Sequence, residues 1–323
     1  MCGRANGTWM TTSGTYRDFP AERLRYLYES VRLGTMRAAS DFLDMAPSSI
    51  SRQITALEKE IGIELIEKNR HRVLLTPAGE RLIEYYRDRL AQQEALVTDL
   101  DDLKGLRTGH LRIAVGTGLM RVVIARAVAE YTARLPGVRI DVVSAPSRAV
   151  ISMVRDDMAH FGVVMDAPID PRVWSRSSFP EPNYLIVAPH HSLASASKID
   201  IRDLVNQPLI LPEGGFRIRD VLSEFEANHG LFLHTRITAS SVQFIADVTS
   251  AGTVATIMPL GCVSDYVEAG RLLALPISNP ELNTGRVNIV TRVGRRLSSA
   301  AVALLDLLER QMKNRSRPGR PTA

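Results

Sequence analysis

Two cysteines, Cys2 and Cys262, are all that 323 residues contain. That scarcity excludes a disulfide framework and any cysteine-built metal site, and it suits a reducing cytoplasm. No apolar run approaches the roughly 20 residues of a membrane span, and the N-terminus carries no secretory apolar core. The seven histidines show no ligand spacing, and the adjacent His190 and His191 read as turn residues. No metal and no other cofactor is expected. The marks of catalysis are missing too: there is no nucleophile elbow and no Walker loop. Asp156 and Asp157 are neighbours on a helix pattern, so their side chains diverge rather than converge on a substrate. Gly116-Thr117-Gly118 follows a strand pattern, but Arg121 stands where a dinucleotide fingerprint needs its third glycine. What is present is 45% hydrophobic and 23% charged residues, the balance of a globular chain long enough for two or three domains.

A net charge of +5 and an isoelectric point near 9.4 invite a nucleic-acid partner. Yet Lys313, Arg315, Arg317 and Arg320 supply four of those charges in the last eleven residues, with no acid among them. The placement of charge therefore says more than its sum.

The informative stretch is GTMRAASDFLDMAPSSISRQI, Gly34 to Ile54. Met36, Ala39 and Leu43 fall at helical spacing, Asp44 to Pro47 is a break, and Pro47 suits the first turn of a new helix. The second helix turns Ile50, Ile54, Leu57 and Ile61 inward. Its outer face, toward its start, holds Ser48, Ser49, Ser51, Arg52 and Gln53, with Arg37 on the helix before it. Short hydroxyls, an amide and a guanidinium on a rigid cylinder are groups that reach phosphates and base edges in a major groove. A helical hairpin with a solvated polar face fits this stretch equally well. The residues after Ile61 favour DNA. Gly62 stops the helix, Lys68-Asn69-Arg70-His71-Arg72 is a basic run, Val73-Leu74-Leu75 is extended, and Thr76-Pro77 caps and opens another helix. This predicts a wing of two strands whose tip carries Arg70, His71 and Arg72.

The combination of Gly34, Ala39, Leu43, Ile50-Ser51-Arg52-Gln53-Ile54, Leu57-Glu58, Gly62, Leu65, Leu75-Thr76 and Ala78-Gly79 resembles the winged helix-turn-helix of the LysR-type transcriptional regulators. It departs from the family at Ala46-Pro47-Ser48, where Ser-Gln-Pro or Ser-Gln-Ala is usual, and at Ile66, often Phe. Ala46 lacks the side-chain oxygen of an N-cap, a loss of about 1 kcal/mol, and Pro47 cannot make the family's glutamine contact. The resemblance implies a transcription regulator whose partners are a double-stranded DNA operator, a small-molecule effector and further copies of itself, as homodimer or homotetramer, with no membrane.

Residues 1–18 lack a period and are expected to be a disordered arm, with Met10 an alternative start. Residues 19–76 form the winged helix-turn-helix. Residues 77–104 form a linker helix in which Ile83, Tyr86, Leu90, Gln93, Val97 and Leu100 step by three and four, a stripe that asks for a partner helix. The family also pairs this helix. Residues 313–323 are a basic disordered tail. From 105 to 312, strand and helix patterns alternate, which predicts α/β with a parallel sheet. Two antiparallel-looking strands between Trp174 and Pro189 lead into a second lobe.

By the resemblance, with Leu135-Pro136-Gly137-Val138 and Pro259-Leu260-Gly261 as landmarks, this half is a type 2 periplasmic-binding-like effector domain. Lobe I spans about 105–183 and 286–312, and lobe II about 184–285. Four loops then face one cleft: Thr117 and Gly118, Ser144 to Arg148, Phe216 and Arg217, and Ser240 and Ser241. Arg148 and Arg217 are the candidate carboxylate partners of an organic anion, although an exposed arginine beside a helix start is more often solvated or salt-bridged. Ser240 reads equally as a helix N-cap. No catalytic residue is expected. The competing interpretation is a two-lobed metabolite-binding protein or enzyme without a DNA role, which would need an export signal or an acid–base pair in the cleft.

Overall fold

The computed structural model of the chain describes residues 8–11, 14–17, 19–67, 72–103, 108–119 and 124–315. They form two compact units, residues 1–93 and 94–323. In the first, β1 (Thr8–Thr11) and β2 (Gly14–Arg17) pair antiparallel with Trp9 opposite Tyr16. The expectation of a wholly disordered arm is corrected here: threonine and aromatic residues favour a pleated backbone over what the glycines imply.

Three helices come next, α1 (Ala21–Arg32), α2 (Met36–Leu43) and α3 (Pro47–Ile61). The Thr35 side chain caps α2 by accepting from Ala38 N at 3.1 Å. Asp44 ends α2 and Gly62 ends α3, both in the left-handed region with φ of 52° and 83°. Leu24, Leu27, Ala39, Ile50, Ile54, Leu57 and Leu65 close one core with Leu82, Ile83 and Tyr86 from α4 (Pro77–Leu103). Among the described residues the expected two strands of the wing are reduced to one bridge. Ile66 and Leu75 make a single antiparallel bridge, beside Glu67 N to Leu74 O at 2.9 Å and Thr76 N to Leu65 O at 3.0 Å. Its arms bond to the helices instead: Glu58 Oε1 accepts from Leu65 N (2.8 Å) and Ile66 N (3.2 Å), and Val73 N donates to Gly34 O (3.0 Å).

In the second unit, lobe I opens with β3 (Gly109–Gly116), α5 (Ala125–Arg134), β4 (Val138–Ala145), α6 (Ser147–Arg155), β5 (Phe161–Met165) and β6 (Val173–Pro180). Lobe II contributes β7 (Asn183–Val187), β8 (Leu209–Pro212), α7 (Arg217–His229), β9 (Thr235–Ala239), α8 (Val242–Ser250), β10 (Thr256–Pro259), α9 (Ser264–Glu268) and β11 (Leu273–Pro276). The chain returns to lobe I as β12 (Arg286–Arg292) and α10 (Ser299–Arg315).

The lobe I sheet runs β4-β3-β5-β12-β6 and is mixed, not parallel throughout: β12 lies antiparallel to both its neighbours. The reason is topological. Strands β3 and β5 end at the cleft, and the chain coming back from lobe II enters the sheet from that end. Alternation in β3 sorts the core: Leu111, Ile113 and Val115 pack with Tyr131, Leu304 and Leu308 on one face, while Ala114 meets Val150 and Val154 of α6 on the other. Strands β6 and β7 do not pair with each other, contrary to expectation. Glu181 and Pro182 carry the chain across, so β6 joins β12, and β7 sits centrally in the order β10-β7-β11. A separate parallel pair, β8-β9, completes lobe II. The two crossovers run side by side, with Glu181 N donating to Gly285 O at 2.8 Å. A Cβ on Gly285 would stand 2.7 Å from Glu181 O, so only glycine fits this approach.

The last turns of α4 are fastened to lobe I by charge. Glu94 accepts from Arg295 at 2.9 Å and lies 2.6 Å from His160 Nε2. Arg295 also reaches Asp157, which Arg292 meets at 2.9 Å, and Arg296 pairs with Asp99 at 2.9 Å. Burial opposes ionisation of Glu94, but the hydrogen bond to His160 and the charges of His160 and Arg295 outweigh it and hold its carboxyl below the usual range. A carboxyl depressed on folding contributes stability above its unfolded value and loses it as pH falls through the folded one. Glu94→Gln is therefore expected to lower the melting temperature at neutral pH, with the gap to the parent protein closing as pH drops below the ordinary value of 4.5. Melting curves across an acid series decide it; a gap constant down to strong acid would sink the idea.

Candidate DNA-binding surface and ligand cleft

Helix α3 stands on a buried apolar face, Ile50, Ile54 and Leu57. On its other side Ser48, Ser51 and Arg52 are exposed, while Ser49 and Gln53 are half-buried. Ala46 gives α3 no side-chain cap, so the positive end of the helix dipole has no capping oxygen from that residue's side chain. Arg52 folds back along its own helix, Nε to Ser48 O at 3.2 Å and Nη2 to Ser49 Oγ at 3.4 Å. Gln53 is engaged: its Oε1 accepts from Arg23 Nε of α1 at 3.1 Å, and Arg23 also pairs with Glu60 at 2.7 Å. Arg37 is exposed in the first turn of α2, and Arg72 is exposed in the wing. Arg70 and His71 lie outside the described residues.

The six-residue stripe on α4 divides in two. Ile83 and Tyr86 are buried in the core of their own unit, Tyr86 against Tyr28 with ring centroids 5.5 Å apart. Leu90, Val97 and Leu100 are 37%, 51% and 47% exposed, and Gln93 is exposed between them. Leu96, absent from the predicted stripe, is exposed alongside.

In the second unit the ends of β3, β4 and β5 face lobe II across a cleft. The cleft spans about 790 Å³ including open solvent. The lobes approach closely across it. At Gly118 (φ +96°) even a Cβ would come within 3.4 Å of Val242 and 3.6 Å of Cys262 on the opposite lobe. Thr117, Gly118, Phe216 and Arg217 line this space. Ser144, Arg148, Ser240 and Ser241 do not: all four are exposed, and Ser147 lines the cleft in place of its neighbours. Ser241, not Ser240, caps α8, accepting from Phe244 N at 3.2 Å.

Asp166 and Asn183 also line the cleft and lie outside the four loops expected there. Asp166, at positive φ of 42° just after β5, accepts from Arg217 Nε at 3.1 Å, an ion pair that joins the lobes. Its other oxygen accepts from Arg286 N at 2.8 Å. The rule that ligands bind beyond the carboxyl ends of sheet strands could have found it, as it found Thr117. Asn183, the first residue of β7, carried no sequence signal. The remaining walls are largely apolar, among them Leu119, Met165, Ile218, Val221, Ile245 and Met258. Helices α6 and α7 both begin here, and neither has a side-chain cap.

Among the described residues no helix is long and apolar enough to cross a membrane, and no cluster of metal-ligating side chains occurs. Residues 21–80 match the family model "Bacterial regulatory helix-turn-helix protein, lysR family", and residues 104–313, more than half of the chain, match "LysR substrate binding domain". The HTH-type transcriptional regulator CbbR of Rhodospirillum rubrum is 26% identical over 267 residues, 83% of this chain and 88% of that protein. The HTH-type transcriptional activator CmpR of Synechocystis is 25% identical over 278 residues, 86% and 90% of the two chains. Among solved structures, a full-length OxyR variant from Pseudomonas aeruginosa superposes with a TM-score of 0.70 at 18% identity, covering 95% of this chain and all of that one. Full-length CbnR in complex with its target DNA gives a TM-score of 0.51 at 18% identity, covering 90% and 99%.

Proposed function

The chain belongs to the LysR family of bacterial transcriptional regulators, and on that footing we propose how its own residues divide the work. It is a DNA-binding regulator with a C-terminal effector-binding domain. Helix α3 enters the major groove. Ser48, Ser49 and Ser51 lie near base edges, and the uncapped N-terminus of the helix meets a phosphate. Arg37, Arg52 and Arg72, with Arg70 and His71 of the same basic run, neutralise the backbone. Gln53 reads a base only after releasing Arg23, so it ranks below the serines. The protein works as a homodimer or homotetramer in the cytoplasm, and it performs no chemistry on its ligand. The observation that carries the DNA assignment is α3 itself, apolar where it packs and short, polar and uncapped where it is free.

The cleft takes a small organic anion, which the two uncapped helix starts favour. Such an anion competes with Asp166 for Arg217, and that competition couples binding to the bond between lobes. It shifts their arrangement only by its differential affinity for the two states.

The test of the DNA assignment uses an operator selected from random duplexes. Arg52→Ala is expected to weaken binding to selected and unselected duplexes alike and to flatten the plot of log affinity against log salt by about one unit. An unchanged slope and affinity would remove Arg52 from the interface.

A further inference from the structure

Resting on the assignment of the interlobe cleft to the effector, we propose that the effector carries a hydrogen-bond donor and that Asn183 selects it. Asn183 is only 6% exposed and lines the cleft. Its Nδ2 donates to Leu282 O at 2.6 Å, which fixes the amide: turning it over would set oxygen against oxygen. Asn183 Oδ1 is then a fully buried acceptor with no hydrogen-bond partner among the described residues. Buried acceptors of this kind are nearly always paired. The residue opposite it in the β7–β10 ladder is Pro259, which has no N–H to give.

Three other polar side chains in the cleft are already engaged. Asp166 and Arg217 hold each other, and Asp166 is further held by Arg286 N. Ser147 Oγ is turned to Met165 O at 3.4 Å. A ligand with a purely apolar body leaves Oδ1 unpaired on binding, whereas one with a hydroxyl or amino group in reach pairs it. A site built around a buried acceptor discriminates strongly between such analogues, because the group left unpaired bears the whole desolvation penalty. The chemical class is therefore a compact carboxylate with an apolar body and a hydroxyl or amino substituent. The carboxylate meets the helix starts, the body meets Leu119, Phe216 and Met258, and the substituent meets Asn183.

The experiment uses the full chain and matched pairs of carboxylates: benzoate with its meta-hydroxy derivative, phenylacetate with its para-hydroxy derivative, and isovalerate with its alpha-hydroxy and alpha-amino derivatives. Affinity is read from thermal-shift titrations. In at least one pair the donor-bearing member is expected to bind about 10- to 100-fold more tightly. Asn183→Leu should bring that ratio close to one, while Thr117→Val and Phe216→Ala weaken both members of the pair together. A ratio that survives Asn183→Leu overturns the proposal, and so does a parent protein that prefers no donor-bearing compound. Stabilisation untouched by both Thr117→Val and Phe216→Ala places binding elsewhere and overturns the cleft assignment itself. Should Asn183→Leu not fold, the ratio in the parent protein and in Asn183→Ala decides.

Discussion

Gly79→Ala is expected to unfold the DNA-binding unit while residues 94–315 stay folded. Alanine for glycine inside a helix ordinarily stabilises by about 1 kcal/mol. Here the sign reverses. A Cβ at Gly79 would stand 2.1 Å from the Leu65 carbonyl oxygen and 2.8 Å from Leu75 Cδ2. The carbonyl is not free to yield. Leu65 O accepts from Thr76 N at 3.0 Å, Thr76 Oγ1 donates to Glu64 O at 2.7 Å, and the same hydroxyl accepts from Gly79 N at 3.1 Å. The start of α4 and the root of the wing are thus one hydrogen-bonded knot, and the new methyl group lands inside it. A loss above about 4 kcal/mol, at the far end of what single substitutions do, results from forced displacement of backbone. Gly62→Ala makes the contrast: nothing lies within 4 Å of its Cβ, so the cost is the left-handed backbone alone, about 1–2 kcal/mol. Urea unfolding followed separately for the two units would show an early transition in Gly79→Ala together with loss of operator binding. If Gly79→Ala and Gly62→Ala melt alike, the approach of Leu65 to the helix is misplaced.

Leu90→Asp combined with Val97→Asp should break the assembly without unfolding the monomer. Both side chains are exposed on α4, so the charges cost little until a partner helix covers them. Against such a helix each aspartate would be buried unpaired, which a seam does not tolerate. Sedimentation is expected to show a monomer with the parent helical content. Affinity for a two-half-site operator should fall about 100-fold or more, since the second half-site contact is no longer intramolecular. Ile83→Asp separates the two roles of the stripe: Ile83 is buried within its own unit, so that change should unfold the DNA-binding unit instead. A double aspartate variant of unchanged size would remove α4 from the interface.

The stripe shows how far periodicity can be read. A step of three and four marks residues that share a helix face, and all six do. It does not say whether the face is covered by the same chain or by another. Near its start α4 is covered by α1 and the helix-turn-helix, so Ile83 and Tyr86 were consumed there. The helix-turn-helix was legible almost to the residue, because glycine, proline and spaced apolar positions each constrain the backbone locally. The mixed sheet of lobe I was not. The direction of β12 depends on where the chain re-enters after its long excursion through the other lobe, and no local pattern encodes that. The cleft was legible where strand ends meet helix starts, as at Thr117, Phe216 and Arg217. It was illegible at Asn183, which a crossover brings in. On α3 the engagement of Gln53 was equally illegible, since its partner Arg23 lies 30 residues away. Long-range pairing decides such positions, and composition carries no trace of it.

The charge cluster at the end of α4 fixes a frame of reference. Glu94 and Asp99 are gripped by Arg295, His160 and Arg296, and Arg295 is held in turn by Asp157, all from lobe I. No lobe II side chain takes part in those bonds. Whatever the ligand does to the angle between lobes, the final turns of α4 stay in register with lobe I. If the proposed effector changes the angle between lobes, lobe I is the chassis and lobe II the arm, joined at two adjacent crossovers and tied by Arg217 to Asp166. Motion in this unit is then asymmetric by construction, and a substitution on the outer surface of lobe II changes what travels rather than what is anchored.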